Sequence, residues 1–336
     1  MKILLYTEGL KTVGKSGLGK AVEHQMNALE KNHVAYTTDP KELATVDIVH
    51  INWYLLKSYF LAKKAKKLWK KIVYHAHSTE EDFKNSFLFS NQLAPIFKWW
   101  ISKCYRLGDV IITPTEYSKR LLENYHLNKP IYAISNGIHT SFFEHNEKYA
   151  EEFREKYHYK KEDKVIMGVG LYLKRKGILD FVELAKRCPE YQFIWFGYLD
   201  PKLVPQEIKQ ALNTKLENLI FAGYVEQEFL RKAYSGVDLY LFPTLEETEG
   251  IPILESLAAK TPTLVRDIPV FAEFIDGKEV YKAKTITEFE TKIHQILNGR
   301  LPSLAESGYQ KAIQKDTKIV GKQLIEVYQN LMKEQK

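Results

Sequence analysis

Cysteine is almost missing from this chain: its 336 residues hold two, Cys104 and Cys188. They stand far apart, so no disulfide framework and no C-x-x-C metal or redox site can be built from them, and a reducing cytoplasm is expected. Long apolar runs are missing too. Met1 leads into KILLYTEG, whose apolar part is far too short for a secretory signal, and no stretch approaches a membrane span. No low-complexity tract and no repeat at a solenoid period is visible.

Apolar surface and basic charge are present in quantity. At 45% hydrophobic the chain can bury a real core, and its length favours two domains. The net charge is +7, and the whole excess falls in residues 1–145; the remainder is neutral. An anionic partner is therefore expected to meet the first half.

Short apolar runs alternate with helix-length amphipathic stretches. KILLYT, DIVHIN, KIVYHA, DVIITP and IYAIS read as strands in the first half; KVIMGVG, YQFIWFG, NLIFAG, DLYLFP and TPTLV do so in the second. Between them lie helix candidates at 20–31, 55–70, 116–126, 177–187 and 286–299. Strands apolar on both faces and separated by helices predict parallel sheets covered on both sides. The fold class is α/β, with two doubly wound Rossmann-like domains at 1–145 and 146–315. A terminal helix over 316–336, with Ile319, Val320, Leu324, Val327, Tyr328 and Leu331 on one face, is expected to cross back to the first domain. Ligands in such sheets bind beyond the carboxyl ends of the strands, so the sites should face an interdomain cleft.

Two stretches carry chemistry. GKSGLGKA, residues 14–21, matches an ATP-type phosphate loop until Ala21 takes the place of the magnesium-binding Ser or Thr. The preceding strand also ends too early, near Thr7. Glycines opening a helix still let a backbone approach an anion, though a plain strand-to-helix turn has the same signature. In PTLEETEGIPILESLA, Glu247 and Glu255 flank a helix start marked by Gly250 and Pro252. Two carboxylates there can hold sugar hydroxyls while backbone N–H groups hold an anion, or they simply complement the helix dipole.

The second stretch resembles the Glu-x7-Glu signature of the retaining glycosyltransferases of family 4, which have the GT-B fold. SGLGKAVEHQMNAL, YHAHST, ISNGIHTSFF, GVGLYLKRKGILDFVELAK and IFAGYV resemble further segments of that family and occur in its order. The resemblance spans most of the chain. It implies that Glu255 binds the ribose of a nucleotide sugar and that Glu247 contacts the donor sugar, helped by Thr248, Glu249, Gly250 and Ile251. It also implies that Lys176 neutralises the diphosphate, that Gly17, Leu18 and Gly19 lie over it, and that His77 stands beside the reacting sugar. His75 is the rival in YHAH, since strand alternation puts both rings on one face. The sequence departs from the family pattern at Leu171, where Arg is frequent, so Arg175 is the candidate second charge; Glu249 stands where an aromatic is frequent. No Asp-x-Asp pair occurs, so no metal and no cofactor beyond the UDP-sugar substrate is expected.

The first half also holds LAKKAKKLWKK, with Lys63, Lys64, Lys66, Lys67, Trp69, Lys70 and Lys71, and a second basic–aromatic stretch around Trp99 and Trp100. Lysines mixed with indoles suit an anionic membrane surface. The chain is also short for the family, and MKILLYTEG, KSGLGKAVEHQMNAL and VDIVHINW resemble segments of bacterial diacylglycerol glycolipid synthases, most of all those that add a second hexose to monoglucosyl-diacylglycerol. The expected donor is UDP-glucose or UDP-galactose, the acceptor a glycolipid, and the location the cytoplasm, peripherally on the inner face of the membrane. A soluble family 4 enzyme acting on polysaccharide or protein is the alternative. Nucleic acid is not an expected partner, because no nucleic-acid module is present.

Overall fold

The computed structural model describes residues 1–9, 17–86, 89–200 and 202–333. The chain forms two compact units. One comprises Met1–Phe83, Gln92–His139 and Lys315–Lys336; the other comprises Lys84–Asn91 and Thr140–Gln314. The division at His139 lies a few residues ahead of the boundary expected at 145.

The sheet of the first unit has six parallel strands in the order β2-β1-β3-β4-β5-β6. These are β1 (Lys2–Tyr6), β2 (Ala35–Thr37), β3 (Ile48–Ile51), β4 (Lys71–His75), β5 (Val110–Thr113) and β6 (Ile131–Ala133). The inner strands β1, β3, β4 and β5 are buried along nearly their whole length, which is why they read as unbroken apolar runs. Alternate residues serve opposite faces. Leu4, Val49, Ile72 and Ile111 pack with α2 (Leu56–Lys67), α3 (Ser90–Tyr105) and α4 (Glu116–Glu123) through Tyr59, Ala62, Ile101 and Leu122. Ile3, Ile48, Val73 and Ile112 pack with Leu29 of α1 (Gly17–Lys31) and with the C-terminal helix Thr317–Lys333.

That terminal helix buries Val320, Leu324, Val327, Tyr328 and Leu331, whereas Ile319 is 39% exposed. Neighbouring helical residues point about 100° apart, so only Val320 falls on the stripe that the others continue. Gly321 lets the helix approach α1. A Cβ there would lie 2.2 Å from Asn32 Nδ2 and 2.6 Å from the Ala28 carbonyl oxygen. Asn32 Nδ2 donates to the Lys318 carbonyl, and Lys31 Nζ to Thr317 Oγ1.

The second unit has its own six-stranded parallel sheet, ordered β12-β11-β10-β7-β8-β9. Its strands are β7 (Val165–Val169), β8 (Gln192–Phe196), β9 (Leu219–Gly223), β10 (Leu239–Phe242), β11 (Thr263–Arg266) and β12 (Tyr281–Ala283). Helices α5 (Ile178–Arg187), α6 (Gln227–Gly236) and α7 (Ile251–Ala258) are the ones that bear on the site. In each sheet the first strand lies where the order reverses, between β7 and β10 here and at β1 and β3 in the first unit. In doubly wound sheets such points hold ligands at the carboxyl ends of the strands.

Candidate active site

In the second unit the chain leaves β7, makes a tight turn over Lys174–Lys176 and enters α5 through Gly177, whose φ is +76°. A Cβ at Gly177 would sit 2.2 Å from the Pro243 carbonyl oxygen, so glycine lets this turn press against the end of β10. The contact sets Lys176 beside Glu247, and Lys176 Nζ donates to Glu247 Oε1. Thr244 Oγ1 donates to the same oxygen at 3.0 Å, and Arg175 Nη1 lies 3.7 Å from Oε2. Arg175 is itself held by Ser86 Oγ at 2.9 Å and the Glu246 carbonyl at 3.3 Å. Burial alone would raise the Glu247 carboxyl. The charges of Lys176 and Arg175, with the hydrogen bonds from Lys176 and Thr244, outweigh it and leave the group below the usual carboxylate range.

Gly250, at φ +89°, opens α7; its missing Cβ leaves room for Phe271 and Phe242. Glu255 lies in the second turn of α7, 4% exposed, and accepts the Tyr234 hydroxyl at 2.9 Å. Glu247, Glu249 and Glu255 are all buried. Glu247 thus meets a Lys–Arg pair, and Glu255 a tyrosine hydroxyl, on elements at the carboxyl end of one sheet; carboxylates can accept hydroxyl hydrogens there and the two cations can face an anion. Leu171 lies in the loop after β7 and Arg175 in the turn that follows it, where its guanidinium faces Glu247.

In the first unit Gly17, Leu18 and Gly19 form the first turn of α1. Gly14, Lys15 and Ser16 lie outside the described residues. His75 ends β4, and His77 follows it; their rings stack with centroids 4.0 Å apart and planes 1° apart, so both share one face as alternation predicts. His75 is buried, whereas His77 is partly exposed and its Nε2 bonds Asn52 Oδ1 at 2.8 Å. Burial holds both rings neutral. The His77 pKa is depressed to about 3, with His50 adding to the effect of burial.

Two family profiles match this arrangement: "Glycosyltransferase Family 4" over residues 31–142 and "Glycosyl transferases group 1" over 150–315. The chain is 40% identical over 337 aligned residues to the processive diacylglycerol alpha-glucosyltransferase of Acholeplasma laidlawii, covering 99% of both proteins. The chain is a family 4 glycosyltransferase. An alpha-galactosylglucosyldiacylglycerol synthase of Streptococcus pneumoniae is 33% identical over 118 residues, 34% of this chain and 31% of that one. Among solved structures, Anabaena Alr3699/HepE in complex with UDP and glucose superposes with a TM-score of 0.77 at 14% identity, covering 98% of this chain and 100% of that one. A sucrose-phosphate synthase from Thermosynechococcus elongatus does so at 0.78, also at 14% identity, covering 99% of both. The two doubly wound units of the glycosyltransferase are thus those of the GT-B fold.

The glycosyltransferase also carries a basic, apolar face on its first unit. Lys63, Lys64, Lys66 and Lys67 are exposed on α2, and Trp69 beyond it is 87% exposed. Lys70 and Lys71 are half-buried: Lys70 reaches the Ala44 carbonyl, and Lys71 begins β4. The two neighbouring tryptophans split. Trp99 points out, while Trp100 packs on the core, its ring 5.4 Å from Tyr59 and its Nε1 donating to the Tyr54 carbonyl. Tyr59 joins the helices, with Lys63 of α2 and Lys103 of α3 both over its ring. Leu56 and Phe60 on α2, and Leu93, Ile96 and Trp99 on α3, are exposed as well. The sequence reading missed the four aliphatic and phenyl side chains. Their helical spacing, 56/60 and 93/96/99, was the available signal.

Proposed function

We propose that this glycosyltransferase moves a hexose from UDP-glucose or UDP-galactose to monoglucosyl-diacylglycerol at a membrane surface, with retention, giving a diglycosyl-diacylglycerol. The observation that carries the acceptor is the exposed face of α2 and α3. Exposed lysines and five exposed apolar side chains occur together on these two helices, a chemistry that fits anionic lipid. Both glycolipid relatives bear names that make their acceptor a diacylglycerol lipid. Among the described residues no helix is long and apolar enough to cross a membrane, and the proposed contact is a peripheral one.

The donor chemistry follows from the second unit. As the bond to the diphosphate breaks, negative charge builds on the leaving oxygen, and Lys176 with Arg175 stabilises it. Glu247 and Thr244 keep Lys176 in place, and Glu255, steadied by Tyr234, accepts ribose hydroxyls. No metal ion is required in this scheme. His77 and the Gly17–Gly19 turn of the first unit offer hydrogen bonds to sugar and phosphate groups. Retention is supported by the alpha linkage in the relative's name, since UDP-glucose itself carries its sugar in the alpha configuration.

A donor-by-acceptor screen tests the reading. Purified protein is given each UDP-hexose with monoglucosyl-diacylglycerol in vesicles or with a water-soluble saccharide, and products are analysed by mass spectrometry and NMR. An alpha-linked diglycosyl lipid is expected. Activity only on the soluble saccharide would favour a soluble family 4 enzyme, and a beta linkage would remove retention.

A further inference from the structure

A chain of buried polar groups runs through the first unit to His77. The Tyr328 hydroxyl lies 2.6 Å from His50 Nδ1, and His50 Nε2 lies 3.1 Å from His75 Nδ1. Gln25 Nε2 is 2.9 Å from both His75 Nδ1 and Asn52 Oδ1, and Asn52 Oδ1 meets His77 Nε2. Tyr328, His50, His75, Gln25 and Asn52 are each no more than 2% exposed. The members come from the C-terminal helix, β3, the end of β4, α1 and the residue after β3.

With the Gln25 and Asn52 amides oriented as the structure places them, the bond directions follow from Gln25. A carboxamide nitrogen only donates, so Gln25 makes acceptors of His75 Nδ1 and Asn52 Oδ1. Asn52 Oδ1 can likewise only accept a hydrogen bond from His77, so His77 carries its hydrogen on Nε2. His75, accepting at Nδ1, carries its hydrogen on Nε2 as well. His50 faces that acceptor with Nε2 and so donates there, which leaves its Nδ1 to accept the Tyr328 hydroxyl. All three rings are neutral Nε2–H tautomers. Only His77 among them reaches the surface, and its remaining nitrogen, Nδ1, is an acceptor.

We propose that Asn52, oriented by Gln25, is a positioning residue that locks His77 in the Nε2–H tautomer and so presents His77 Nδ1 as the acceptor for a sugar hydroxyl. The inference rests on the reading of His77 as a sugar-contacting residue. Tyr328, through His50 and His75, anchors the far end of the chain. The C-terminal helix thereby takes part in setting a ring it does not touch.

Nitrogen-15 NMR of histidine-labelled full-length protein at neutral pH reads the tautomers directly, without substrate. Wild type is expected to show protonated Nε2 and bare Nδ1 on His50, His75 and His77. Asn52→Asp keeps an acceptor in the same place and should keep the proton on His77 Nε2. Asn52→Leu should let His77 sample both tautomers and lower kcat about tenfold, the scale of one lost hydrogen bond, while KM for the UDP-sugar changes by less than about twofold. A His77 proton on Nδ1 in wild type would overturn the proposal. So would an Asn52→Leu protein with the wild-type tautomer and turnover. Should that variant not fold, the tautomers of wild type and Asn52→Asp decide alone. The underlying reading fails separately: tautomers that follow Asn52, with full turnover in His77→Ala, would uphold the lock and remove His77 from the chemistry.

Discussion

Lys176 and Glu247, 71 residues apart in the chain, form a part-buried ion pair at the switch point of the second sheet. The pair is built by backbone, not by long side chains reaching across a surface. Gly177 brings the Lys176 turn against the end of β10, and the Leu245 amide donates to the Arg175 carbonyl at 2.7 Å. Such a lysine is fixed and charged before any ligand arrives, so little reorganisation remains to be done when charge develops on a leaving group.

Lys176→Ala should therefore lower turnover by more than about tenfold, since charge-assisted hydrogen bonds are worth roughly 1.5–3 kcal/mol. Steady-state kinetics, with a circular dichroism spectrum to show an intact fold, checks it. The pair also gives a pH signature. The Glu247 carboxyl is depressed in the folded state, so its stabilising contribution is fully present above the ordinary carboxylate range of about 4.3 and is lost as pH falls through the folded value. The difference in Tm between wild type and Glu247→Gln should close below about pH 4. A gap that widens on acidification would contradict the depressed pKa.

His77→Ala and His75→Ala should fail in different ways. His77 is partly exposed, so its loss should cut turnover while Tm stays close to wild type. His75 is buried and holds contacts to His50 and Gln25, so its loss leaves a cavity and unpartnered groups and should lower Tm by several degrees. Turnover per folded molecule that is lower in the His75 variant than in the His77 variant would reverse the assignment within YHAH.

Much of the fold is legible in the sequence because buried parallel strands must be apolar on both faces; DIVHIN and DLYLFP announce β3 and β10 by composition alone. The edge strands β2 and β12 escape, since three residues at a sheet margin need no such run. Helix α3 was not foreseen either: Pro95 lies inside it, and FKWW reads as a basic–aromatic cluster before it reads as a helix. Glu247, Glu255 and Lys176 were legible through motif order. The Gln25–Asn52–His50–Tyr328 connection was not, because it joins residues up to 278 positions apart that share no spacing.

Gly321→Ala tests the seat of the C-terminal helix. The new methyl would meet the Ala28 carbonyl and the Asn32 amide, and backbone cannot swing aside as a flexible side chain can. The helix must shift off α1, at a cost of about 1–3 kcal/mol by comparison with other overpacked sites. Denaturant unfolding of the full chain should show a lower midpoint. An unchanged midpoint would mean that the two helices are not seated as closely as the structure has them.

The face on α2 and α3 predicts how the protein meets a membrane, and its two kinds of residue should separate under salt. Attraction by Lys63, Lys64, Lys66 and Lys67 acts over a Debye length, about 10 Å at 0.1 M salt and about 3 Å at 1 M. Burial of Leu56, Phe60, Ile96 and Trp99 in the acyl boundary gains free energy that salt does not remove. Flotation with anionic vesicles should succeed at low salt and weaken at high salt without vanishing. Changing the four lysines to Glu should abolish it while UDP binding by calorimetry stays unchanged, since none of the four is a candidate donor residue and Lys176, Arg175 and Glu255 belong to the second unit. Changing Leu56, Phe60, Ile96 and Trp99 to Ser should leave low-salt binding but remove the part that resists salt. Trp100→Ala should act differently, lowering Tm, because that indole is a strut between Tyr54 and Tyr59. Equal binding to neutral and anionic vesicles would eliminate the electrostatic half of this account. Salt-insensitive binding by the Ser variant would eliminate the apolar half.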